Sequence, residues 1–475
     1  DEQLYCEAMT DNAYTKQPND ATQNIGNGSY STADPYVKKV WDGRYTGIRM
    51  CNELLENIDR VPDLDPELKK RYIGEAKVLR AYNYYELYTK FGDVPYTTKV
   101  LSIKESMSIA RTAKATVIAN VLADLDEVIN GNYLPTSYDA DNKGRITRWA
   151  AMAIKAKIYL FEGNWTQVKN ITSTIMTEGG FKLFGSYAGL FEIANEYNSE
   201  VILDAQYRPT SREHQMMYVF LPPTLGGYSQ LSPLQELVDS YIMLDGKTIK
   251  ETGTSFDESH PYANRDPRLK ATVMYTGNSY TLADGTEVVI NCEKGEGKDG
   301  YGVGSDCSAT GYYIKKYWDN TYRATLYSGL NPILIRYADI LLMNAEALAE
   351  LGELDKTAWD ATIKPIRDRA GFTLASALEF PEGASKDKLI EIVRNERRSE
   401  LALEGHRHKD IIRWRIADNV LNGWCHGLKT NDVVGTDDGY VRVENRTFNA
   451  NKHYLWPIPQ AERDLNGNLE QNPNW

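Results

Sequence analysis

Glu396 and Glu400 stand four residues apart in IVRNERRSELALEGHRHKDIIRW, the segment from Ile392 to Trp414, so on a helix both carboxylates project from one face. A glycosidase needs two carboxylates about 5–9 Å apart across a sugar. The same segment carries Arg394, Arg397 and Arg398, and Arg336 offers a further partner from a second helical segment. Carboxylates gripped by guanidinium forks stay ionised and make poor general acids, so structural ion pairing is the stronger expectation. Gly295, Gly297 and Gly300 match G-x-G-x-x-G, but no helix follows to receive a pyrophosphate, and a flexible loop is expected. His406 and His408 flank Arg407 and would need metal ligands from elsewhere. There is no HExxH, GxSxG or Walker sequence, and DLNGN at Asp464 falls short of a twelve-residue calcium loop. The expectation is a protein without catalytic residue, metal or cofactor.

Binding chemistry is better represented. Thirty-two tyrosines stand against ten phenylalanines, and tyrosine combines a flat apolar face with a hydroxyl. Sugar rings present apolar faces and hydroxyl edges, so their sites should place aromatics in irregular segments beside Asp, Asn, Arg or Gln. TDNAYTK (Thr10 to Lys16) and ADPYVKKVW (Ala33 to Trp41) offer Asp11, Asn12, Tyr14, Asp34, Tyr36 and Trp41. YYIKKYWDNTYR (Tyr312 to Arg323) offers Trp318, Asp319, Asn320, Tyr322 and Arg323, with Trp318 the first choice. Trp41 precedes the helix-like YTGIRMCNELLENI, so core packing competes there.

The net charge of −12 repels a polyanion and argues against nucleic acid. No apolar run approaches the ~20 residues of a membrane-spanning helix. The sequence starts at Asp1 without methionine, so a removed leader is expected. Cys6, in QLYCEA, lacks the small residues that precede a lipid-attachment cysteine, which places any lipid anchor upstream of residue 1. Cys292 and Cys307 flank the glycine-rich GEGKDGYGVGSD; a disulfide there and two free thiols are both open.

The elements that must position these groups are mainly helical. Asp65-Pro66 reads as an N-cap and first-turn proline, with Leu68, Tyr72, Ala76 and Leu79 following at helical spacing until Gly92. Helices are likewise expected over Thr147–Phe161, Trp165–Met176, about 338–351, Lys356–Ala370 and Lys386–Glu404. Between Val201 and Asn331 the texture changes to Gly, Pro, Asn and Asp with short β-like runs such as VILDAQY, ATVMY and TEVVIN. The fold class expected is mainly α: an α-α superhelix of degenerate tetratricopeptide-like helix pairs with a long loop-rich, partly β excursion. A single domain over 1–475 is expected, with a helical framework at about 40–200 and 333–475 and the excursion at about 201–332.

Three segments, ILIRYADILLMNAEALAELGE (Ile333 to Glu353), the Ile392–Trp414 segment and YLWPIPQAERDLNGNLEQNPNW (Tyr454 to Trp475), resemble in order the signatures of the SusD/RagB family. YIGEAKVLRAYNYYELYTKFGDVPY, RITRWAAMAIKAKIYLFEGNW, PLQELVDSYIMLDGKTI and NRDPRLKATVMYTG extend the likeness back to Tyr72. His408 departs from it, because the family usually has a large aromatic there. The resemblance implies a non-catalytic, lipid-anchored, glycan-binding protein of the Bacteroidetes outer membrane. Its implied partners are an oligosaccharide and a SusC-like TonB-dependent transporter. It also implies that ligand meets loops of the N-terminal region and the excursion on one face. A tetratricopeptide scaffold for protein partners and an α-helical glycoside hydrolase are the competing functions.

Overall fold

A computed structural model describes residues 2–16, 21–322, 325–430 and 434–475. The chain forms two compact units. One comprises Gly28–Gly179, Ile412–Asp418 and Phe448–Trp475; the other comprises the N-terminal residues to Asn27, Gly180–Ile411 and Asn419–Thr447.

The first unit is a set of consecutive helices, Pro35–Asn57, Pro66–Phe91, Lys114–Asn130, Arg148–Phe161 and Trp165–Glu178, each packed on a neighbour. Their starts follow local chemistry. Asp65 accepts from the Leu68 N–H at 2.9 Å and Thr147 from Ala150 at 3.3 Å, satisfying donors that the first turn leaves open. Gly92, at φ 70°, ends the second helix in a conformation that costs glycine little. The same Asp-Pro device operates at Asp34-Pro35, where Asp34 accepts from the Tyr36 N–H at 2.9 Å. The stretch Ala33–Trp41, expected to be irregular, is therefore largely the start of a 23-residue helix.

In the second unit the ends of the excursion pair with one another. Strand Val201–Asp204 lies antiparallel to Ile333–Arg336, with Val201 opposite Arg336 and Asp204 opposite Ile333. Between these ends are short strand pairs, among them Val273–Met274 with Tyr313–Ile314 and Ser279–Thr281 with Glu287–Val289. The N-terminal strand Ala13–Thr15 pairs with Leu231–Pro233. One apolar core gathers Ala13, Leu231, Val273, Tyr280, Tyr313 and Ile333 from these strands, with Leu4, Phe220, Leu237 and Leu403 from the chain around them. Helix Tyr337–Leu351 packs on Lys386–Glu400.

Two helix expectations need correction. Lys356–Ala370 is two helices, Lys356–Ala361 and Ile363–Ala370, because Pro365 cannot donate to the ladder and its ring opposes the carbonyl four residues back. The charged helix ends at Glu400, and Leu403 turns to φ 63° before Gly405.

Candidate functional site

Several side chains expected to meet a sugar are committed to the protein itself. Asp11 is buried, and its Oδ1 and Oδ2 accept from the Arg407 fork at 2.8 Å each while Arg398 stands 3.0 Å from Oδ2. Asn12, also buried, accepts from Arg398 Nε at 2.9 Å and donates to Glu7 at 2.9 Å. Tyr36 and Trp41 belong to the other unit, on the buried face of their helix; the Trp41 ring meets Phe91 edge-on at 5.1 Å. Tyr14 is half-buried, opposite Ser232, and its hydroxyl accepts from Gln23. Trp318 donates its indole N–H to the Thr281 carbonyl at 2.9 Å and packs edge-on against Tyr280 at 5.3 Å, so much of its surface is spent on packing. Asp319 is buried and Asn320 exposed. The Tyr322 side chain and all of Arg323 lie outside the described residues. Cys292 and Cys307 are free thiols: Cys307 donates to the Lys298 carbonyl, and burial raises the Cys292 thiol's pKa.

Among the described residues of the excursion, the exposed aromatic rings are Tyr228 and Tyr327, and the half-buried Tyr218 contacts both. Tyr218 and Tyr228 stack at 5.8 Å and 17°, and Tyr327 stands edge-on to Tyr218 at 6.0 Å. Tyr228 is 46% and Tyr327 38% exposed. Local chemistry builds this platform. Pro222 and Pro223 follow the short helix Met216–Phe220, and Gly226 then turns at φ 86°. A Cβ on Gly227 would stand 2.2 Å from the Leu221 carbonyl oxygen, so only glycine allows the chain to pass. The turn brings the Tyr228 N–H back to the Tyr218 carbonyl at 2.9 Å.

Tyr327 is fixed from the other side. His214 and Ser328 exchange two backbone hydrogen bonds of 2.9 Å, and the Ser328 hydroxyl donates to Asp319 Oδ2 at 3.0 Å. Burial lowers the His214 pKa, so the neutral ring donates Nε2–H to the Leu330 carbonyl at 2.9 Å. Gln215 donates to the Tyr327 hydroxyl. Asp319 thus holds Ser328, the chain neighbour of Tyr327, and Asn320, next to Asp319 in the chain, is exposed. Sequence reasoning missed the tyrosines, although LPPTLGGYSQ carries the pattern it sought: an aromatic in a Gly/Pro segment beside polar groups.

The carboxylate pair is buried and neutralised. Glu400 accepts from Arg336 at 2.6 Å, from Arg268 at 2.9 Å and from Arg369; Glu396 accepts from Arg367 at 2.7 Å. Burial alone would push both carboxyls up, but the surrounding guanidinium groups outweigh it and hold them below their ordinary range. Arg336 is the expected partner. The helix's own arginines point elsewhere: Arg397 to Asp339 and Asp410, Arg398 to Asp11, and Arg394 to Glu350. Among the described residues no group of three or more His, Cys, Asp or Glu side chains could hold a metal ion.

The SusD family model matches residues 190–475, more than half the chain and every ion-pair partner of Glu396 and Glu400 named above. The chain belongs to the SusD family. A second model, described as starch-binding associating with outer membrane, matches residues 1–160. Among SusD-like relatives, protein P25 of Formosa agariphila is 28% identical over 439 residues, 85% of this chain and 77% of that protein. A SusD-like carbohydrate binding protein from Bacteroides fragilis superposes with a TM-score of 0.88 at 29% identity, over 98% of this chain and 92% of the other. A laminarin binding SusD-like protein shares the fold, with a TM-score of 0.74 at 24% identity over 100% and 93%. The family's strongest signatures here, Ile333–Glu353 and Ile392–Gly405, supply Arg336, Glu396, Glu400 and Glu404, so they encode the internal frame.

Proposed function

We propose that this chain binds oligosaccharides without cleaving them, stacking sugar faces on Tyr218, Tyr228 and Tyr327 while Gln215 and Asn320 reach hydroxyls. The observation that carries the reading is the fixed, exposed tyrosine platform on a loop-built face. Its rings are ordered before ligand arrives, which lowers the entropic cost of binding. Membership of a family with carbohydrate-binding relatives supports the ligand class. Burial and pairing of Glu396 and Glu400 support the absence of hydrolysis. The platform takes the role expected of Asp11, Asn12, Tyr36 and Trp41, while Asp319 holds Ser328 beside Tyr327 and Trp318 packs on Tyr280.

Delivery to a SusC-like TonB-dependent transporter, and anchoring at the outer membrane's extracellular face through a lipid upstream of residue 1, complete the proposal. No helix among the described residues is long and apolar enough to cross a membrane. A small stacking site implies modest affinity, about 4–7 kcal/mol or millimolar to micromolar, which suits a protein that passes its ligand on. The test is calorimetry on the best binder from an oligosaccharide array, with chromatography of the recovered sugar. Tyr228→Ala with Tyr327→Ala should weaken binding at least tenfold at near-wild-type Tm. Unchanged affinity refutes the platform, and shortened sugar refutes non-catalytic binding.

A further inference from the structure

A second cleft in the same unit has the chemistry of a saccharide site and shares no residue with the tyrosine platform. Its volume is 440 Å³, within the ~300–1,000 Å³ of small-ligand pockets. Trp424 lines it and is 42% exposed, an unusual state for an indole on a paired strand. The ring is held in place. Its strand Gly423–Lys429 pairs antiparallel with Tyr440–Arg446, and the Arg442 guanidinium, which does not line the cleft, packs 5.4 Å from the ring centre.

Around the indole the cleft presents the amides of Asn395, Asn419 and Asn422, the Asp239 carboxyl and the Lys250 amine. Asp239 and Lys250 offset one another and Glu236, which also lines the cleft, is paired with His426 at 2.8 Å, so the wall favours a neutral ligand with many hydroxyls. The floor is locked. Arg398 is tied to Asp11 and Asn12, and Arg446 donates to the Thr10 carbonyl, to Ala13 at 3.1 Å and to Glu444 at 3.1 Å. A preorganised polar floor beneath one exposed aromatic plane suits a sugar better than an apolar ligand or a flexible peptide.

We infer that the Trp424 cleft is a second binding site for neutral saccharide, with Trp424 as its stacking plane and Asn395, Asn419 and Asp239 as its hydroxyl partners. It rests on the carbohydrate-binding reading but not on the location of the first site.

The test is calorimetric stoichiometry with the best-binding neutral oligosaccharide from an array of neutral and anionic saccharides. The variants are Trp424→Ala, Asn419→Ala, Tyr228→Ala with Tyr327→Ala, and the triple variant. Two sites are expected in wild type and one in either the Trp424 or the double-tyrosine variant. The triple variant should bind nothing, and Asn419→Ala should weaken one site several-fold. Trp424 and Asn419 are exposed, so Tm should stay near wild type and report that each variant is folded. One site that vanishes with the tyrosines and ignores Trp424→Ala overturns the inference and leaves the platform standing. One site that vanishes with Trp424 alone overturns the platform instead. No binding by wild type refutes both, and a second site that takes only anionic sugars overturns the neutral assignment.

Discussion

Glu400→Gln probes the centre of the buried network. Among the described residues the connected groups are Arg268, Arg336, Arg367, Arg369 and Lys316 against Asp266, Glu200, Glu396, Glu400 and Glu404, five cations and five carboxylates. Their charges cancel. Glu400 is fully buried and bonds three of the five cations, so the amide leaves one unit of positive charge unpaired in the interior. Breaking a buried pair in this way costs about 3–5 kcal/mol. At roughly 2 °C per kcal/mol for a unit of this size, Tm should fall by about 6–10 °C.

The pH dependence supplies a second readout. The folded-state pKa of Glu400 is depressed, so its stabilisation is complete above the unfolded value near 4.5 and is lost as pH falls towards the folded one. The Tm gap between wild type and Glu400→Gln should therefore stay constant from pH 8 to 5 and narrow below 4.5. Differential scanning calorimetry across that range measures it. A gap below about 1 kcal/mol, or one that changes between pH 5 and 8, would refute the frame role; the latter would mark a carboxyl poised as an acid. Saccharide affinity of the folded variant should match wild type.

Other outcomes can be measured alongside. His453 sits among Tyr30, Phe448 and Trp475 and accepts from the Asn449 N–H at 3.1 Å; burial lowers its pKa to about 4. Its neutral form therefore stabilises the fold fully above pH 6.5, and that contribution, about 1–3 kcal/mol after allowing for solvent, disappears as pH falls through 4; an NMR titration midpoint at 6.5 or higher contradicts this. Trp41→Ala removes a buried indole and should cost about 3–5 kcal/mol by denaturant unfolding while leaving sugar affinity intact; the opposite pattern would return Trp41 to the site. Trp318→Ala should lower stability by about 1–3 kcal/mol, through loss of the Tyr280 contact and the Thr281 hydrogen bond, and leave affinity near wild type; an affinity loss with unchanged Tm would make Trp318 a direct ligand contact. Thiol titration of the unfolded, unreduced protein should count five groups, whereas three would show a Cys292–Cys307 bridge.

Much of the helical framework was legible because its signals are local. Apolar spacing, the Asp65-Pro66 and Thr147 caps and the Gly92 and Gly352 stops act within a turn or two, so the chain text carries them whole. The same logic would have shown that Asp34-Pro35 opens a helix and Pro365 splits one. The ion pairing of Glu396 and Glu400, with Arg336 among the partners, was also readable, but the neighbouring Arg394, Arg397 and Arg398 pair elsewhere and distant arginines take their place.

Tertiary structure alone decided which partners meet. Arg268 lies 132 residues from Glu400, and Asp11 lies 396 from Arg407. Nothing in local sequence states that such groups face each other, because loop closure over those distances depends on the whole core. Exposure was equally global. Trp41, Tyr228 and Trp424 each stand beside polar neighbours in the sequence. One became core and two became surface because a ring's solvent face is set by the elements packed around it, not by the residues beside it in the chain.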